Sequence, residues 1–255
     1  EANMVTVASG LASNGFNVFV YAIGPHVVYR AYEQIRNDVC LNEKNVKIIS
    51  IGSGVHYADH GPTHHSTEDF AVLKCLPNMK VFSPSGDNDV FEMTKYLCKY
   101  RGPAYLRLGR GNDDQFREKF NLNKSQVIQR GNKLTIFATG ASVKDAYDLI
   151  KNDFNKSSIE LVNVKMIKPL DEKTIIQSAK KNNKVIVIEE HQKIGGLSES
   201  IFSLLSKNKV KLSKTCGIGL NDVFCSYSGS YDGIKEKFNI SKKYLKKKII
   251  NILKS

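Results

Sequence analysis

Histidines supply the most obvious chemical groups in this sequence. His60, His64 and His65 fall within the segment HGPTHHSTEDFAVLKCLPNM at positions 60–79. An imidazole can ligate a metal ion, or it can transfer a proton, because its ordinary pKa lies near neutrality. A zinc site needs three or four ligands, and the remaining histidines are His26, His56 and His191. We therefore expect no metal site, and we expect His64 to face a substrate hydroxyl or phosphate.

The segments around this loop alternate between strand-like and helix-like patterns. Runs rich in β-branched and aromatic residues include NVFVYA, VKIISIG and PAYLRLG, and amphipathic runs such as VVYRAYEQIRND lie between them. A further helix is expected over residues 67–76, with Ser66 or Thr67 as its N-cap and Glu68 and Asp69 in its first turn. The histidine loop would then follow a strand, where α/β proteins place ligand-binding groups.

The alternation starts again in the second half with KLTIFATG, SVKDAYDLIKND and KVIVIEE. Between the two series lies a polar stretch of about twenty residues, which is long for an internal loop. The pattern predicts an α/β fold with two consecutive open, mostly parallel sheets, each flanked by helices. We expect a first domain over residues 1–115, a linker over 116–130 and a second domain over 131–255.

The composition indicates an ordinary globular protein and argues against several function classes. The chain has 255 residues, of which 41% are hydrophobic and 25% charged. Its net charge of +13 is spread along the sequence except in the tail SKKYLKKKIINILKS, whose apolar residues recur at helical spacing and predict a docked helix with a lysine face. Nucleic-acid binding would require a clustered basic patch with interleaved aromatic residues. Apolar runs stay far below the ~18 residues of a membrane span, and the five cysteines show no CxxC spacing. We expect a cytoplasmic protein without nucleic-acid or membrane partners.

Several segments, in order, resemble the pyrimidine-binding and C-terminal domains of the transketolase family. The first domain's motifs are EANMVTVASGLASNG, RAYEQIRNDV, GPTHHSTEDFAVLKCLPNMK and YLRLGRG, and the second domain's are KLTIFATGASVKDAYD and VIVIEEHQKIGGLSESI. The resemblance covers nearly the whole chain. It implies an enzyme that uses thiamin diphosphate and Mg²⁺ to transfer a two-carbon ketol unit between sugar phosphates.

The resemblance also implies a partner. In this family the diphosphate and Mg²⁺ are held by another domain, marked by a G-D-G pattern followed by N-N, and this sequence contains no such pattern. We therefore expect an N-terminal diphosphate-binding domain or subunit, in a homodimer or a heterotetramer. The chain opens on Glu1 without an initiator methionine, which suggests that the first domain is incomplete at its N-terminus.

Three residues match the family's catalytic and substrate-binding positions. Glu1 matches the glutamate that hydrogen-bonds N1′ of the cofactor's aminopyrimidine, and His64 matches the histidine that faces the substrate and transfers protons. Arg110 matches the arginine that binds the sugar phosphate. His60 stands where many members carry aspartate, so it joins His64 and Arg110 as an implied substrate-binding residue, with substrate recognition expected to differ.

The cofactor-ring pocket departs from the family pattern. Its two spaced aromatic positions align with Gly24 and Val27, neither of which is aromatic, and Arg30 matches an arginine of deoxyxylulose-phosphate synthases and split transketolases. The implied cofactor-contacting residues are Glu1, Tyr21, His26, Val27, Tyr29 and Arg30. Glu190 and His191, in the second domain, are expected to support the domain interface rather than catalysis.

Two alternatives remain open at this point. One is a 1-deoxyxylulose-5-phosphate synthase, although GPTHHSTED differs from the glycine-rich continuation of that subfamily. The other is a degenerate, non-catalytic subunit of a transketolase-like assembly. The missing pocket aromatics favour this second alternative, whereas the retained Glu1, His64 and Arg110 oppose it.

Overall fold

A computed structural model describes residues 1–109, 121–122, 124–227 and 229–254. Over these ranges the chain forms two five-stranded, mostly parallel sheets flanked by helices, as the alternating pattern predicts. Residues 116–120 and 123 of the predicted linker at 116–130 lie outside the described residues, and so does Arg110, whereas residues 126–129 of that linker form a strand.

The first half contributes four strands and five α-helices to the part of the chain that the structure describes. The strands are β1 (Val18–Ile23), β2 (Val46–Ile51), β3 (Lys80–Phe82) and β4 (Ala104–Leu108). The helices are α1 (Ala2–Ser13), α2 (Gly24–Val28), α3 (Tyr32–Gln34), α4 (Asp69–Lys74) and α5 (Asp87–Lys99). These four strands pair in parallel in the order β1, β2, β4, β3.

The second half contributes six strands and five helices to the described structure. The strands are β5 (Gln126–Gln129), β6 (Leu134–Ala138), β7 (Ile159–Asn163), β8 (Met166–Lys168), β9 (Lys184–Gln192) and β10 (Lys214–Leu220). The helices are α6 (Ser142–Asp153), α7 (Glu172–Asn182), α8 (Leu197–Lys207), α9 (Tyr231–Lys237) and α10 (Lys242–Lys254). The second sheet has the order β10, β9, β6, β7, β5, with β5 antiparallel at its edge.

Strand β8 links the two halves and was not foreseen. It pairs antiparallel with β3 and so completes the first sheet, although it follows β7 of the second sheet along the chain. One hydrophobic cluster also runs across both halves, joining Val46 and Val81 to Val162 and Val185. The two halves therefore share a core, and the functional groups at their junction are rigidly supported.

The segment predicted as one helix after β1 is interrupted. It consists of α2, α3 and a π-helical stretch over Ile35–Leu41. Pro25 at the start of α2 fits a helical first turn. A π-helical turn places side chains five residues apart on the same side, and Ile35 and Cys40 are both buried in the core. Tertiary packing has thus overridden the regular helix that the sequence pattern predicts.

The C-terminal helix agrees with its sequence pattern. Leu245, Ile249 and Ile252 of α10 are buried against the second sheet. Its lysine face meets α6, where Lys242 Nζ lies 3.1 Å from Asp148 Oδ2. The concentrated charge at this end of the chain therefore belongs to a docked helix.

Candidate active site

The predicted site residues come from two adjacent strand ends. β1 and β2 are parallel neighbours, so their carboxyl ends lie at the same edge of the sheet. Helix α2 follows β1 and carries His26, and the loop after β2 carries His60 and His64. Glu1 lies at the start of α1, where its carbonyl oxygen accepts a hydrogen bond from Val5 N at 3.0 Å.

Glu1 contacts two of the residues predicted to surround the cofactor. Its Oε2 accepts a hydrogen bond from Arg30 Nη1 at 3.2 Å, and its Oε1 lies 4.0 Å from His26 Nδ1. The Glu1 side chain is 24% exposed and that of His26 is 37% exposed. The position before the first turn of α1 also favours a negative charge. The carboxylate is thus held from two sides while remaining accessible.

The imidazoles form a continuous line from this carboxylate. The ring centroids of His26 and His64 are 5.2 Å apart, and those of His64 and His60 are 5.1 Å apart. The Tyr57 ring lies 5.3 Å from His60 and 6.2 Å from His64. The fold therefore brings Glu1, His26, His64 and His60 together, although Glu1 and His64 are 63 positions apart in the sequence.

Short-range contacts orient the histidine loop. His60 Nδ1 lies 2.9 Å from Asp59 Oδ1, and His64 Nδ1 lies 3.0 Å from Thr63 Oγ1. Gly61 between them has a φ of +77°, which favours glycine. Partial burial, together with the neighbouring His26 and His60 rings, lowers the pKa of His64. A lowered pKa makes the His64 imidazole neutral and able to accept a proton at neutral pH.

A buried ion pair next to the histidine loop supports it. Asp69 Oδ2 accepts hydrogen bonds from Tyr105 Oη at 2.6 Å and Arg107 Nε at 2.7 Å. Arg107 Nη2 donates to the carbonyl oxygens of Ser66 at 2.7 Å and Glu190 at 3.0 Å. Arg107 therefore ties the end of the histidine loop to strand β9 of the second sheet.

This ion pair was missed at the sequence level. Asp69 was assigned to the first turn of a helix starting at Ser66 or Thr67, but α4 begins at Asp69, and neither of those residues caps it. The Asp69 and Arg107 side chains are 0% and 3% exposed. An arginine inside the apolar strand AYLRL was the available signal, because arginine is almost never buried without a partner.

Glu190 and His191 lie at the junction of the two halves. His191 is fully buried, stacks on Phe70 with a centroid distance of 5.0 Å, and its Nε2 accepts a hydrogen bond from Ala71 N at 3.4 Å. Glu190 accepts a hydrogen bond from Tyr231 Oη. Burial lowers the pKa of His191.

The remaining cofactor-pocket predictions have mixed outcomes. Val27 is fully buried in the hydrophobic core, so the prediction that its side chain contacts a cofactor is not supported. Gly24 leaves no room for an aromatic ring, because a Cβ there would lie 2.5 Å from Ser66 Oγ. Tyr29 points to Glu68, with Oη donating to Glu68 Oε2 at 2.9 Å. Tyr21, 58% exposed on β1, and His26 are the accessible rings of the predicted set.

Among the described residues, no group of three or more His, Cys, Asp or Glu side chains is arranged to hold a metal ion. No helix in that part of the chain is long and apolar enough to cross a membrane.

Comparisons with known proteins match both halves of the chain. The family model for the transketolase pyrimidine-binding domain matches residues 1–114, and that for the transketolase C-terminal domain matches residues 123–243. A putative transketolase C-terminal section from Methanocaldococcus jannaschii is 32% identical over 262 residues, covering 100% of this chain and 81% of that protein. An apulose-4-phosphate transketolase subunit from Phocaeicola vulgatus is 32% identical over 249 residues, covering 92% and 79%.

Two further matches bear on the alternatives. A 1-deoxy-D-xylulose-5-phosphate synthase from Alkaliphilus oremlandii is 31% identical over 253 residues, covering 96% of this chain and 40% of that protein. A solved structure described as a split gene transketolase, inactive beta4 tetramer, superposes with a TM-score of 0.88 at 28% identity, covering 100% of this chain and 82% of that one. The sequence comparison and the structural comparison thus match the same group of proteins.

Proposed function

This chain belongs to the transketolase family, and from that membership we propose that it supplies the pyrimidine-binding and C-terminal domains of a transferase of two-carbon ketol units. The observation that carries the proposal is the line of Glu1, His26, His64 and His60 along one sheet edge. It combines a partly exposed carboxylate with proton-transferring imidazoles. We keep the proposed domains at 1–115 and 131–255, with a linker at 116–130; the matched ranges 1–114 and 123–243 lend support to the division into two domains, and strand β5 of the second sheet lies in the last part of that linker.

The residues of this chain fit the pyrimidine half of thiamin diphosphate. The Glu1 carboxyl would hold a proton against N1′ of the aminopyrimidine, with Arg30 fixing its other oxygen. Tyr21 and His26 offer accessible rings, whereas Gly24 and Val27 do not. When bound, the cofactor's thiazolium would supply the electron sink for carbon–carbon cleavage. The protein's own contribution is orientation and proton transfer.

The substrate side is assigned to the histidine loop. His64 would accept or return a proton at a substrate hydroxyl, and the exposed His60 ring would bind a neighbouring oxygen of the sugar. Arg110, outside the described residues, is proposed to bind the sugar phosphate, a task suited to a planar guanidinium. The relatives include transketolase subunits named for apulose-4-phosphate and for 6-deoxy-6-sulfo-D-fructose. Sugar phosphates or related anionic sugars are therefore the proposed substrates.

A partner that binds the diphosphate and Mg²⁺ completes the proposed enzyme. Relatives named as a C-terminal section, as a transketolase subunit and as a split gene product support a separate chain, and a heterotetramer would then contain two copies of each. Helix α1 carries no charged residue from Ala2 to Ser13. Its outer side leaves Val7 52% and Leu11 45% exposed. A helix that is apolar on both sides needs a second covering surface, which we assign to this partner in a cytoplasmic complex.

The proposal is tested by reconstituting the complex. This chain and the diphosphate-binding chain of its source organism are mixed with thiamin diphosphate and Mg²⁺, and ketol transfer from a ketose phosphate to an aldose phosphate is measured. We expect activity only with both chains, and a loss of at least ~10²-fold in Glu1→Gln. Glu33→Gln, which neutralises an exposed carboxylate on α3, is the matched control. Ketol transfer by this chain alone would contradict the proposal.

Deoxyxylulose-phosphate synthesis is the second candidate. The 31% identity to such a synthase and the arginine at position 30 favour it. Assays of the same reconstituted complex distinguish the two functions, because the synthase requires pyruvate and releases carbon dioxide. Release of carbon dioxide from pyruvate with glyceraldehyde 3-phosphate, in the absence of ketol transfer, would favour the synthase.

A further inference from the structure

The histidine loop, residues 55–65, is closed at its base. Gly54 N donates to Ser66 O at 3.1 Å, and Ser66 N donates to Gly54 O at 2.9 Å. The segment between these residues is therefore a compact loop with adjacent ends, and it contains His60 and His64. The two bonds fix the ends of the loop, so the position of its imidazoles depends on the contacts made by the residues between those ends.

The second half of the chain contacts this loop through an aromatic ring. The Tyr231 ring, at the start of α9, stacks on the His56 ring with a centroid distance of 4.5 Å and an interplanar angle of 18°. His56 is 8% exposed. It also packs closely against the residue after β4, because a Cβ at Gly109 would lie 3.2 Å from His56 Cε1. His56 Nδ1 donates to Ser53 O at 2.7 Å. Both halves of the chain thus fix the His56 side chain.

Glu190 on β9 fixes the position of the Tyr231 ring. Tyr231 Oη donates a hydrogen bond to Glu190 Oε1. Burial, together with the Glu190 carboxylate, raises the pKa of Tyr231 well above its ordinary value, so the hydroxyl keeps the proton that it donates. Glu190 in turn packs against the base of the loop, where a Cβ at Gly54 would lie 2.6 Å from Glu190 Cβ. The Tyr231 ring is therefore held in one place relative to the loop.

The contact at His56 reaches the two imidazoles through Tyr57. Gly52, directly after β2, leaves no room for a Cβ because that atom would overlap Tyr57 Cε2, so the Tyr57 ring packs on the backbone there. The same ring has centroid distances of 5.3 Å to His60 and 6.2 Å to His64. Tyr57 O also accepts a hydrogen bond from His60 N at 2.9 Å. A displacement of His56 would therefore move Tyr57 and, with it, the surroundings of both imidazoles.

We propose that Tyr231 is a positioning residue for the histidine loop: its ring, fixed by Glu190, holds His56 and thereby places His64 for proton transfer at the substrate. The second half then contributes directly to a site whose reacting groups lie in the first half. The effect on catalysis rests on the proposed function, whereas the effect on the loop does not. Such positioning matters because a misplacement of about 1 Å lowers a reaction rate by up to about 10²-fold.

Helix α9 has attachments of its own, which separate this role from general support of the fold. Ile234 of α9 is fully buried in a hydrophobic cluster that also contains Val55 and Ala58 of the loop. Lys235 Nζ joins α9 to an α6 carboxylate at 2.6 Å. Removal of the Tyr231 ring should therefore leave α9 docked and displace the loop without unfolding it.

Side-chain NMR of the isolated full chain tests the effect on the loop without cofactor, substrate or partner. His60→Gln and His64→Gln assign the two imidazole signals. We expect Tyr231→Leu to shift both signals, because the stack on His56 is lost. Tyr231→Phe keeps a stacking ring and should leave both signals closer to their wild-type positions. Tyr227→Leu is the matched control, because it removes another half-buried tyrosine ring of the second half, and it should leave both signals unaltered.

Activity of the reconstituted complex tests the effect on catalysis. Tyr231→Leu should lower kcat for ketol transfer by about 10- to 10²-fold, and Tyr231→Phe should restore most of it. The KM for thiamin diphosphate should stay unchanged, because Glu1 is held by Arg30 and lies outside the loop. A double variant of Tyr231→Leu with His64→Asn should have a kcat within about twofold of that of His64→Asn alone, since Tyr231 acts through His64.

Two results would overturn the inference. One is that the signals of His60 and His64 in Tyr231→Leu match those in Tyr227→Leu. The other is a double variant whose loss of kcat equals the product of the two single losses. If Tyr231→Leu does not fold, Tyr231→Met fills more of the same space and takes its place in both comparisons.

The two measurements distinguish a failure of this inference from a failure of the proposed function. A wild-type complex without ketol transfer, together with imidazole signals that shift in Tyr231→Leu, supports this inference and rejects the proposed function alone. Ketol transfer by the wild-type complex, together with signals that do not shift, rejects this inference alone.

Discussion

The imidazole line at the sheet edge and the buried network around Asp69 lie next to each other but are held very differently. His60 and Asp59 have side chains 47% and 64% exposed, and their contacts come from neighbours in the same loop. Asp69 and Arg107 are buried, and their hydrogen bonds reach the loop, strand β4 and strand β9. The difference suggests that the edge carries the chemistry, while the network holds the edge in place.

The largest effect is expected from breaking the buried pair. Asp69→Asn leaves the Arg107 guanidinium buried without its counter-charge, which typically costs about 3–5 kcal/mol. The free energy of unfolding, measured with urea, should fall by that amount. Asp59→Asn is the matched control at the exposed edge and should change the free energy of unfolding by less than about 0.5 kcal/mol. Equal losses for the two variants would remove the distinction between the regions.

At His64 we expect a large loss of activity with little change in stability. His64→Asn should lower kcat/KM of the reconstituted complex by about 10²-fold or more, because a proton-transferring group is lost. Its free energy of unfolding should stay within about 0.5 kcal/mol of the wild type, since the side chain is partly exposed. Circular dichroism and urea unfolding check the second part. A destabilisation comparable to that of Asp69→Asn would place His64 with the buried network.

Acid should weaken the buried region through His191. Burial lowers the pKa of His191, so the unfolded chain binds a proton more readily than the folded protein. Stability from this group is therefore present above the unfolded value of about 6.5 and falls as the pH drops below it, by up to about 1.4 kcal/mol per pH unit. His191→Gln should reduce this slope in urea unfolding between about pH 7.5 and 5. An unchanged pH dependence of the free energy of unfolding in His191→Gln would show that His191 does not cause the loss of stability in acid.

The smallest effect is expected from an exposed ion pair far from both regions. Lys242 Nζ lies 3.1 Å from Asp148 Oδ2, joining α10 to α6. Exposed pairs contribute about 0–1 kcal/mol, so Lys242→Gln should lower the free energy of unfolding by less than about 1 kcal/mol. Raising the salt concentration should remove most of this contribution. A loss approaching that of Asp69→Asn would show that burial does not set the strength of these pairs.

The sequence predicts the parts of this protein that depend on local pattern. The strand and helix alternation and the docked α10 follow from the periodicity of apolar residues. The interrupted helix after β1 could not be predicted, because tertiary packing decides which side of residues 35–41 is buried. Strand β8 could not be predicted either, since its three residues pair with a strand far back in the chain.

The candidate site could likewise be predicted only in part from the sequence. Glu1, His60 and His64 were identified from a family resemblance, and the structure places them in one line with His26. Val27 is buried in the core, and the sequence pattern alone does not show which side chains point inward. The sequence predicts only a helix-start acid at Asp69, because it is the fold that brings Arg107 within 2.7 Å of it. The role of Arg110 remains a prediction.

The most direct test of the central claim is the mass of the native complex. The protein is isolated from its source, and its mass is recorded first under non-denaturing conditions and then after denaturation, together with its content of thiamin diphosphate and Mg²⁺. We expect this chain to be joined to a diphosphate-binding chain or domain, with the cofactor bound. A self-contained oligomer of this chain that lacks the cofactor would contradict the account and indicate a non-catalytic subunit.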